Sequence, residues 1–221
     1  MEQPKTWKWQ LAQQLEYRWW QRYLRNKQTA DYLPWKLAYW NKLLATVAPH
    51  MPQENNLSIL DAGCGPAGIF MALDGNRVEA IDPLLDKYAD LPHFIPTDYP
   101  WVNFTTLSLE ALDKTDHYDR IFCLNAINHV NDLSTCYNNL IQALKPGGYL
   151  VISTDAHRHR LLKKIFQLIP GDMLHPVQLD INEYESLLTD RSMQIIQHIL
   201  YKREAIFDYY ITVARKTAVR H

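Results

Sequence analysis

The stretch that decides the fold is DAGCGPAG, residues Asp61–Gly68, which begins within the last two residues of the short apolar run Leu57–Ala62. Its Gly63, Gly65 and Gly68 make the GxGxxG spacing, which lets a nucleotide approach the backbone between a strand and the N-terminus of a helix. The spacing alone is a weak signal, and a tight turn without a ligand is the alternative. Because the loop follows a predicted strand, we expect a nucleotide site at the carboxyl end of that strand.

Strands and helices alternate after this loop. Short apolar or alternating runs predict five strands, over residues 57–62, 77–81, 103–109, 118–125 and 149–154. A helix is predicted over about 133–144, and such alternation is typical of a parallel, doubly wound sheet. After a helix near 182–189, two further strands at 194–201 and 209–214 form a hairpin, which can add only antiparallel strands. The predicted fold class is therefore α/β, with a mostly parallel sheet of seven strands and an antiparallel C-terminal hairpin.

The N-terminal region differs from the rest, because six of the seven tryptophans lie within the first forty residues. Leu11, Leu15 and Trp19 recur at four-residue spacing and predict an amphipathic helix. Pro34 is placed to open a second helix. We therefore expect a helical, aromatic-rich cap over residues 1–50.

The main domain is expected over residues 51–221, with a substrate-side insertion at 155–190. Three roles are open for the aromatic residues of the cap: ordinary core, contact with a second subunit or a membrane surface, or a lid over a pocket. As a lid, four of them could surround a cationic or aromatic group: Tyr17, Trp20, Tyr23 and Tyr39.

The charge of the chain is nearly balanced, with 23 Lys and Arg against 24 Asp and Glu, but it is unevenly distributed. Residues 51–190 hold nine basic side chains against nineteen acidic ones, which disfavours a nucleic-acid partner.

The three cysteines, Cys64, Cys123 and Cys136, have neither metal-ligand nor disulfide spacing. No apolar run is long enough to span a membrane, and the first residues lack a signal-peptide pattern. We expect a cytoplasmic protein without a metal, acting on a small molecule, in an oligomeric state that the sequence leaves open.

The charges around the glycine loop bear on which nucleotide it holds. Asp61 stands two residues before Gly63, and Pro66 lacks an N–H donor, so both disfavour a pyrophosphate. They suit a ligand with a positive sulfonium and a protonated amine, which is S-adenosylmethionine. Asp82, at the end of the second strand, could accept hydrogen bonds from both ribose hydroxyls. Alternatively, it could cap a helix that begins at Pro83.

Four segments resemble the class I S-adenosylmethionine-dependent methyltransferases, especially the ubiquinone- and menaquinone-biosynthesis branch: DAGCGPAG, VEAIDP, YDRIFCLNAINHVNDL and ALKPGGYLVIS. The resemblance covers about residues 55–155 and implies a Rossmann-like, seven-stranded sheet with S-adenosylmethionine as cofactor. It also implies contacts with the methionine end for Asp61, Gly63 and Gly65, with the ribose for Asp82, with adenine for Ser108 and Leu109, and with the sulfonium side for Asn125. An acidic residue is common in the family where Ser108 stands. The segment typical of nucleic-acid amino-group methylation, Asn-Pro-Pro-Tyr, does not occur after the fourth strand.

Two residues at the carboxyl edge of the sheet are candidates for chemistry. His129 could act as the general base for an acceptor hydroxyl, or it could cap a helix or pack. Asp155 could orient His129, or it could cap a helix over 156–168. In that helix Asp155, His157 and His159 would diverge, which argues against a metal site.

The expected function is methyl transfer from S-adenosylmethionine to a hydroxyl or nitrogen of a small molecule enclosed between residues 1–45 and 155–180. His175 and Pro176 of the insertion could line that pocket or form a plain turn. Two other functions remain open. The GxGxxG spacing is compatible with a nicotinamide-dependent oxidoreductase, and a non-catalytic regulatory module would keep the nucleotide site without an acceptor pocket.

Overall fold

A computed structural model describes residues 7–157, 181–203 and 207–217 of the chain. Within these ranges seven strands form one sheet: Ser58–Ala62 (β1), Arg77–Asp82 (β2), Val102–Thr106 (β3), Tyr118–Cys123 (β4), Leu144–His157 (β5), Met193–Arg203 (β6) and Phe207–Lys216 (β7). Residues 158–180 of the predicted insertion, with His159, His175 and Pro176, lie outside the described residues.

The strand order is β3-β2-β1-β4-β5-β7-β6. The first five strands in this order run parallel, and β7 pairs antiparallel with both β5 and β6. This arrangement confirms the predicted α/β class, the mostly parallel sheet and the antiparallel C-terminal hairpin. Because the winding reverses between β1 and β4, a crevice for ligands is expected at the carboxyl ends of these two strands.

The described residues include five α-helices: Trp7–Leu24 (α1), Thr29–Val47 (α2), Leu85–Tyr88 (α3), Leu133–Ala143 (α4) and Ile181–Thr189 (α5). The prediction that Pro34 opens the second helix is wrong, because α2 begins at Thr29. Ala30 and Pro34 are both exposed, so the carbonyl that Pro34 leaves without a donor lies on the solvent side. None of the helices in the described ranges is long and apolar enough to cross a membrane.

The predicted helix after the glycine loop is absent from this described part of the chain. Between β1 and β2 the chain forms only two short 3₁₀ turns, Gly65–Ala67 and Ile69–Ala72. Gly68 separates them with an extended backbone, φ −77° and ψ −178°, which interrupts any continuous helix. A Cβ on Gly68 would lie 2.4 Å from Asp61 Oδ2, so the position has no room for a side chain. The loop therefore offers a ligand no α-helix N-terminus.

Strand β5 continues farther than the sequence predicts. It runs to His157, and Asp155 pairs with Tyr209 of β7 in the antiparallel ladder. The alternative in which Asp155 caps a helix that begins at residue 156 is therefore wrong, because pairing with β7 keeps this stretch extended.

The N-terminal helix pair shares an apolar core with the sheet. Trp40, Leu43 and Val47 of α2 are buried in the same cluster as Ile59 of β1. Trp40 Nε1 also donates a hydrogen bond to the carbonyl oxygen of Ala67 at 3.0 Å. Of the three roles considered for the cap, ordinary core is therefore confirmed for α2. The boundary between cap and main domain stays a prediction.

Candidate active site

A cavity of about 410 Å³ opens at the carboxyl edge of the sheet, within the size range of small-molecule sites. One side, the sheet wall, lies within residues 63–67, 82–83, 108–110 and 124–130, the loops that follow β1 to β4. The other side, the helix wall, is formed by residues 12–23 of α1 with Lys36 and Trp40 of α2. The helices therefore cover the crevice that the strand order predicts.

The glycine loop of the sheet wall has a left-handed backbone. Gly63 and Gly65 have φ values of +75° and +59°, which glycine adopts at little cost. A Cβ on Gly63 would lie 2.3 Å from the Cβ of Ala126, and one on Gly65 would lie 3.4 Å from the ring of Trp20. The loop is thus backed by the segment after β4 and covered by α1.

Asp61 lies beneath this loop and is not among the residues that line the cavity. Its buried Oδ2 accepts a hydrogen bond from the Phe70 N–H at 3.0 Å. Burial raises the pKa of Asp61 to about 7, and the hydrogen bond from Phe70 opposes that rise. The structure gives Asp61 a supporting place under the loop, and its predicted contact with the cofactor amine stays a prediction.

Asp82 ends β2 and lines the cavity. Its Oδ2 accepts from the Gly65 N–H at 3.0 Å, and its Oδ1 accepts from the Leu84 N–H at 2.8 Å. Burial raises the pKa of this carboxyl to about 6 against these two bonds. The helix that follows begins at Leu85 and not at Pro83, so Asp82 bonds to the turn before it. Each carboxylate oxygen keeps an acceptor position for a ligand.

The other predicted cofactor residues line the same cavity. Ser108 and Leu109 lie just past β3, and Asn125 follows β4. Asn125 has a left-handed φ of +55°, and its N–H donates to Ser153 Oγ at 2.8 Å. Six of the seven residues predicted to bind the cofactor therefore line one cavity, all except Asp61. Their individual binding roles stay predictions.

His129 also lines the cavity, at the end of a 3₁₀ turn after β4. Its N–H donates to the carbonyl oxygen of Ala126 at 3.0 Å. The cap of α4 is Asp132, which accepts from the Thr135 N–H at 3.0 Å. The alternative in which His129 caps this helix is therefore wrong, and its role as a base stays a prediction.

Asp155 belongs to a chain of polar side chains behind the turn that carries His129. Asn128 Nδ2 donates to Asp155 Oδ2 at 3.3 Å, and the Tyr184 hydroxyl donates to Asn128 Oδ1 at 2.9 Å. These bonds tie β5 to α5 through the turn. Asp155 does not line the cavity, and its predicted action on His129 stays a prediction.

Sequence reasoning missed an acidic group on the helix wall. Glu16 of α1 lines the cavity. Burial raises its pKa to about 7, the negative charge of Asp82 adds to the rise, and a hydrogen bond from the Trp20 side chain opposes it. The signal was present in the sequence, because Glu16 is the only acidic residue among the 18 of α1.

A cation on the helix wall was missed as well. Lys36 is the only Lys or Arg among the described residues that line the cavity. Its ammonium lies 4.4 Å from the ring centroid of Trp40. Burial lowers the pKa of Lys36 to about 8, and the negative charge of Asp61 opposes that shift. A single lysine within the aromatic segment LPWKLAYW was the available signal.

A model of the methyltransferase domain matches residues 30–199, more than half of the chain. The chain belongs to the methyltransferase domain family. The match confirms the predicted resemblance to S-adenosylmethionine-dependent methyltransferases, and with it the predicted class of enzyme and cofactor.

Relatives and solved structures agree with this assignment. The ubiquinone biosynthesis O-methyltransferase of Rickettsia canadensis is 31% identical over 123 residues, which cover 55% of this chain and 51% of that protein. The chain thus spans about half the length of the curated relatives it matches. A 1,6-didemethyltoxoflavin-N1-methyltransferase from Burkholderia thailandensis, solved with S-adenosylhomocysteine, superposes with a TM-score of 0.66 at 19% identity, over 98% of this chain and 93% of that one. The [4+2]-cyclase SpnF shares the fold with a TM-score of 0.63 at 15% identity, over 80% of each chain, so fold alone does not define the reaction.

The residues of the cavity fit the family's cofactor. Asp82 can accept from a ribose, and Lys36 offers a positive charge to the carboxylate of the methionine part. Gln13 also lines the cavity, and its buried Oε1 has no hydrogen-bond partner among the described residues. A buried acceptor without a donor at the edge of a cavity is compatible with a bound ligand.

Proposed function

We propose that this chain transfers the methyl group of S-adenosylmethionine to a hydroxyl group of a small, partly apolar molecule. The observation that carries the proposal is that one cavity unites the left-handed glycine loop, Asp82 and His129, which come from three separate loops. When bound, the cofactor supplies a methyl group on a positively charged sulfonium. A hydroxyl acceptor is supported by the imidazole at the cavity and by relatives that are O-methyltransferases.

The chain's first task is to orient the cofactor. Asp82 is fixed by two backbone N–H groups, so it can hold a ribose without reorganising. Lys36 supplies the positive charge at the cavity for the carboxylate of the methionine part. The aromatic side chains of Trp19, Trp20 and Tyr23 line the cavity from α1, where they can help to exclude water from the reacting groups.

The second task is to remove the proton of the acceptor. His129 is the histidine that lines the cavity, and its imidazole can take the hydroxyl proton as the oxygen attacks. The turn that carries His129 is held by the Asn128 bonds to Asp155 and Tyr184. In this proposal Asp155 positions the turn and does not touch the reacting atoms.

The charges at the cavity disfavour a nicotinamide or flavin dinucleotide. Four buried or half-buried carboxyl groups lie at or beneath its walls, against the single ammonium of Lys36: those of Glu16, Asp61, Asp82 and Glu110. The glycine loop enters 3₁₀ turns instead of an α-helix. A pyrophosphate would meet negative charge without the helix N-terminus that usually binds it.

The test is a transfer assay with S-adenosylmethionine labelled on its methyl group. Catechol and the matched aromatic amine 2-aminophenol are offered separately, and the labelled atom is identified by mass spectrometry. We expect label on oxygen with both compounds. Label found only on the amine nitrogen would contradict the hydroxyl assignment, and no transfer to any hydroxylated acceptor would favour a regulatory module.

A further inference from the structure

A second carboxyl group faces the cavity beside Asp82. Glu16 lies on α1 and lines the cavity on the helix wall, and the charge of Asp82 acts on it directly. Asp82 comes from the sheet wall and already accepts from the Gly65 and Leu84 N–H groups. Two acidic side chains from opposite walls therefore line the same cavity.

The position of Glu16 is fixed by the next turn of α1. The ring of Trp20 lies 3.4 Å from the Cβ position of Gly65 and contacts the ring of Tyr88 edge-on, with centroids 6.3 Å apart. Tyr88 is fully buried in α3. Because Glu16 lies four residues before Trp20 on α1, the two side chains share one face of the helix, and both line the cavity.

No cation among the described residues forms an ion pair with either carboxyl group. None of the ion pairs between described residues includes Glu16 or Asp82. Two carboxyl groups in a partly dry cavity are unfavourable unless donors satisfy them. A ribose presents two adjacent hydroxyl donors and so matches two acceptors on facing walls.

We propose that Glu16 completes the ribose site, with one ribose hydroxyl donating to Glu16 and the other to Asp82. The ribose then joins the two walls, and α1 is held closed over the cofactor by the ligand itself. This inference rests on the proposed function, because it requires the methyltransferase cofactor in this cavity.

The first test measures the affinity for S-adenosylhomocysteine by titration calorimetry. Glu16→Ala should weaken binding about tenfold to a hundredfold, as expected for a hydrogen bond to a charged group. Glu16→Gln keeps an acceptor oxygen and should fall between Glu16→Ala and wild type. Gln14→Ala, at an exposed position on the same helix, is the matched control and should bind like wild type.

The second test asks whether the contact is with the ribose. The 2′-deoxy and 3′-deoxy analogues of S-adenosylhomocysteine are titrated into wild type and Glu16→Ala. One of them should bind wild type about tenfold more weakly than the parent compound, while Glu16→Ala binds the two within about threefold. The same ratios in both proteins would overturn the proposal.

A purely electrostatic role of Glu16 gives a different result. The sulfonium of S-adenosylmethionine is charged and the thioether of S-adenosylhomocysteine is neutral, but both carry the same ribose. Equal weakening of both ligands by Glu16→Ala supports the ribose contact, and weakening of S-adenosylmethionine alone overturns it. Suppose that wild type binds S-adenosylhomocysteine, that Asp82→Ala does not, and that Glu16→Ala binds it like wild type. That result would refute the ribose contact of Glu16 and leave the proposed function standing. If wild type binds neither ligand, the proposed function fails with it.

Discussion

The two walls of the cavity present binding groups in different ways. The sheet wall relies on backbone geometry: Gly63 and Gly65 are left-handed, and Asp82 is held by two N–H groups. The helix wall relies on side chains, with Glu16 and Lys36 carried by two helices. A wall made of backbone is fixed by the fold, whereas a wall made of long side chains depends on how the helices pack.

The two walls also differ in how firmly they are packed. The sheet-wall loops after β1, β2 and β4 continue directly from strands whose last residues are buried, whereas α1 meets the loops through aromatic side chains, of which Trp19 remains 47% exposed. We infer that the sheet wall defines where the cofactor lies and that the helix wall defines how tightly it is enclosed. Substitutions in the two walls should therefore have separable effects.

The largest effect on cofactor affinity is expected from Gly63→Ala in the sheet wall. Gly63 and Gly75 have φ values of +75° and +80°, so alanine should cost about 1–2 kcal/mol of strain at either position. Only at Gly63 does the new Cβ clash, 2.3 Å from Ala126 Cβ, while nothing lies within 4 Å at Gly75. Gly63→Ala should lower the affinity for S-adenosylhomocysteine about a hundredfold or more. Gly75→Ala is the matched control, and equal affinities of the two variants would refute a rigid sheet wall.

His129→Ala should separate chemistry from binding within the sheet wall. If the imidazole is the base, the rate of transfer to a hydroxyl should fall about 10²–10⁴-fold. The affinity for S-adenosylhomocysteine should barely change, because the cofactor is held by other residues. His117→Ala, at an exposed histidine that does not line the cavity, is the control. A destabilised but fully active His129→Ala protein would reduce this histidine to a packing residue.

Glu16→Gln should show that the buried carboxyl group on the helix wall destabilises the ligand-free protein. Burial raises the pKa values of Glu16 and Asp61 to about 7 and that of Asp82 to about 6. The folded protein therefore holds these protons to higher pH than the unfolded chain does, and its free energy of unfolding falls as pH rises from about 5 to 8. Lys36, whose pKa is lowered to about 8, acts in the opposite direction only above that pH.

Removing one of these carboxyl groups should therefore stabilise the ligand-free protein. We expect Glu16→Gln to gain about 1–3 kcal/mol at pH 8 and almost nothing at pH 5, measured by urea unfolding at both values. The same variant should bind S-adenosylhomocysteine more weakly, a trade of function for stability. Asp90→Asn, at an exposed carboxylate, should leave the pH dependence unchanged. A destabilised Glu16→Gln protein at pH 8 would contradict this account of the helix wall.

The same contrast explains what the sequence could predict. The strands and the placement of Gly63, Gly65 and Asp82 follow from local patterns, because a strand, its end and its turn are encoded within a few residues. The missing helix after the glycine loop was not predictable in this way. The chain is extended at Gly68 between two short 3₁₀ turns, and the close approach of Gly68 to Asp61, seven residues earlier, exists only in the folded loop.

The helix wall lay beyond sequence reasoning for a related reason. The amphipathic pattern predicts α1, but which face of it meets the cavity depends on how Trp20 packs against Gly65 and Tyr88. Glu16 and Lys36 become significant only when that packing brings them to the cavity. The extension of β5 past Asp155 is likewise a result of pairing with β7, and local helix signals cannot report it.

The most direct test of the central claim is the choice between two nucleotides. S-adenosylhomocysteine and NAD⁺ are titrated separately into the wild-type chain and into Asp82→Ala by calorimetry. We expect one site for S-adenosylhomocysteine, no binding of NAD⁺, and a loss of about 2–4 kcal/mol of binding free energy in Asp82→Ala. Binding of NAD⁺ alone, or an unchanged affinity for S-adenosylhomocysteine in a folded Asp82→Ala protein, would contradict the assignment of this cavity.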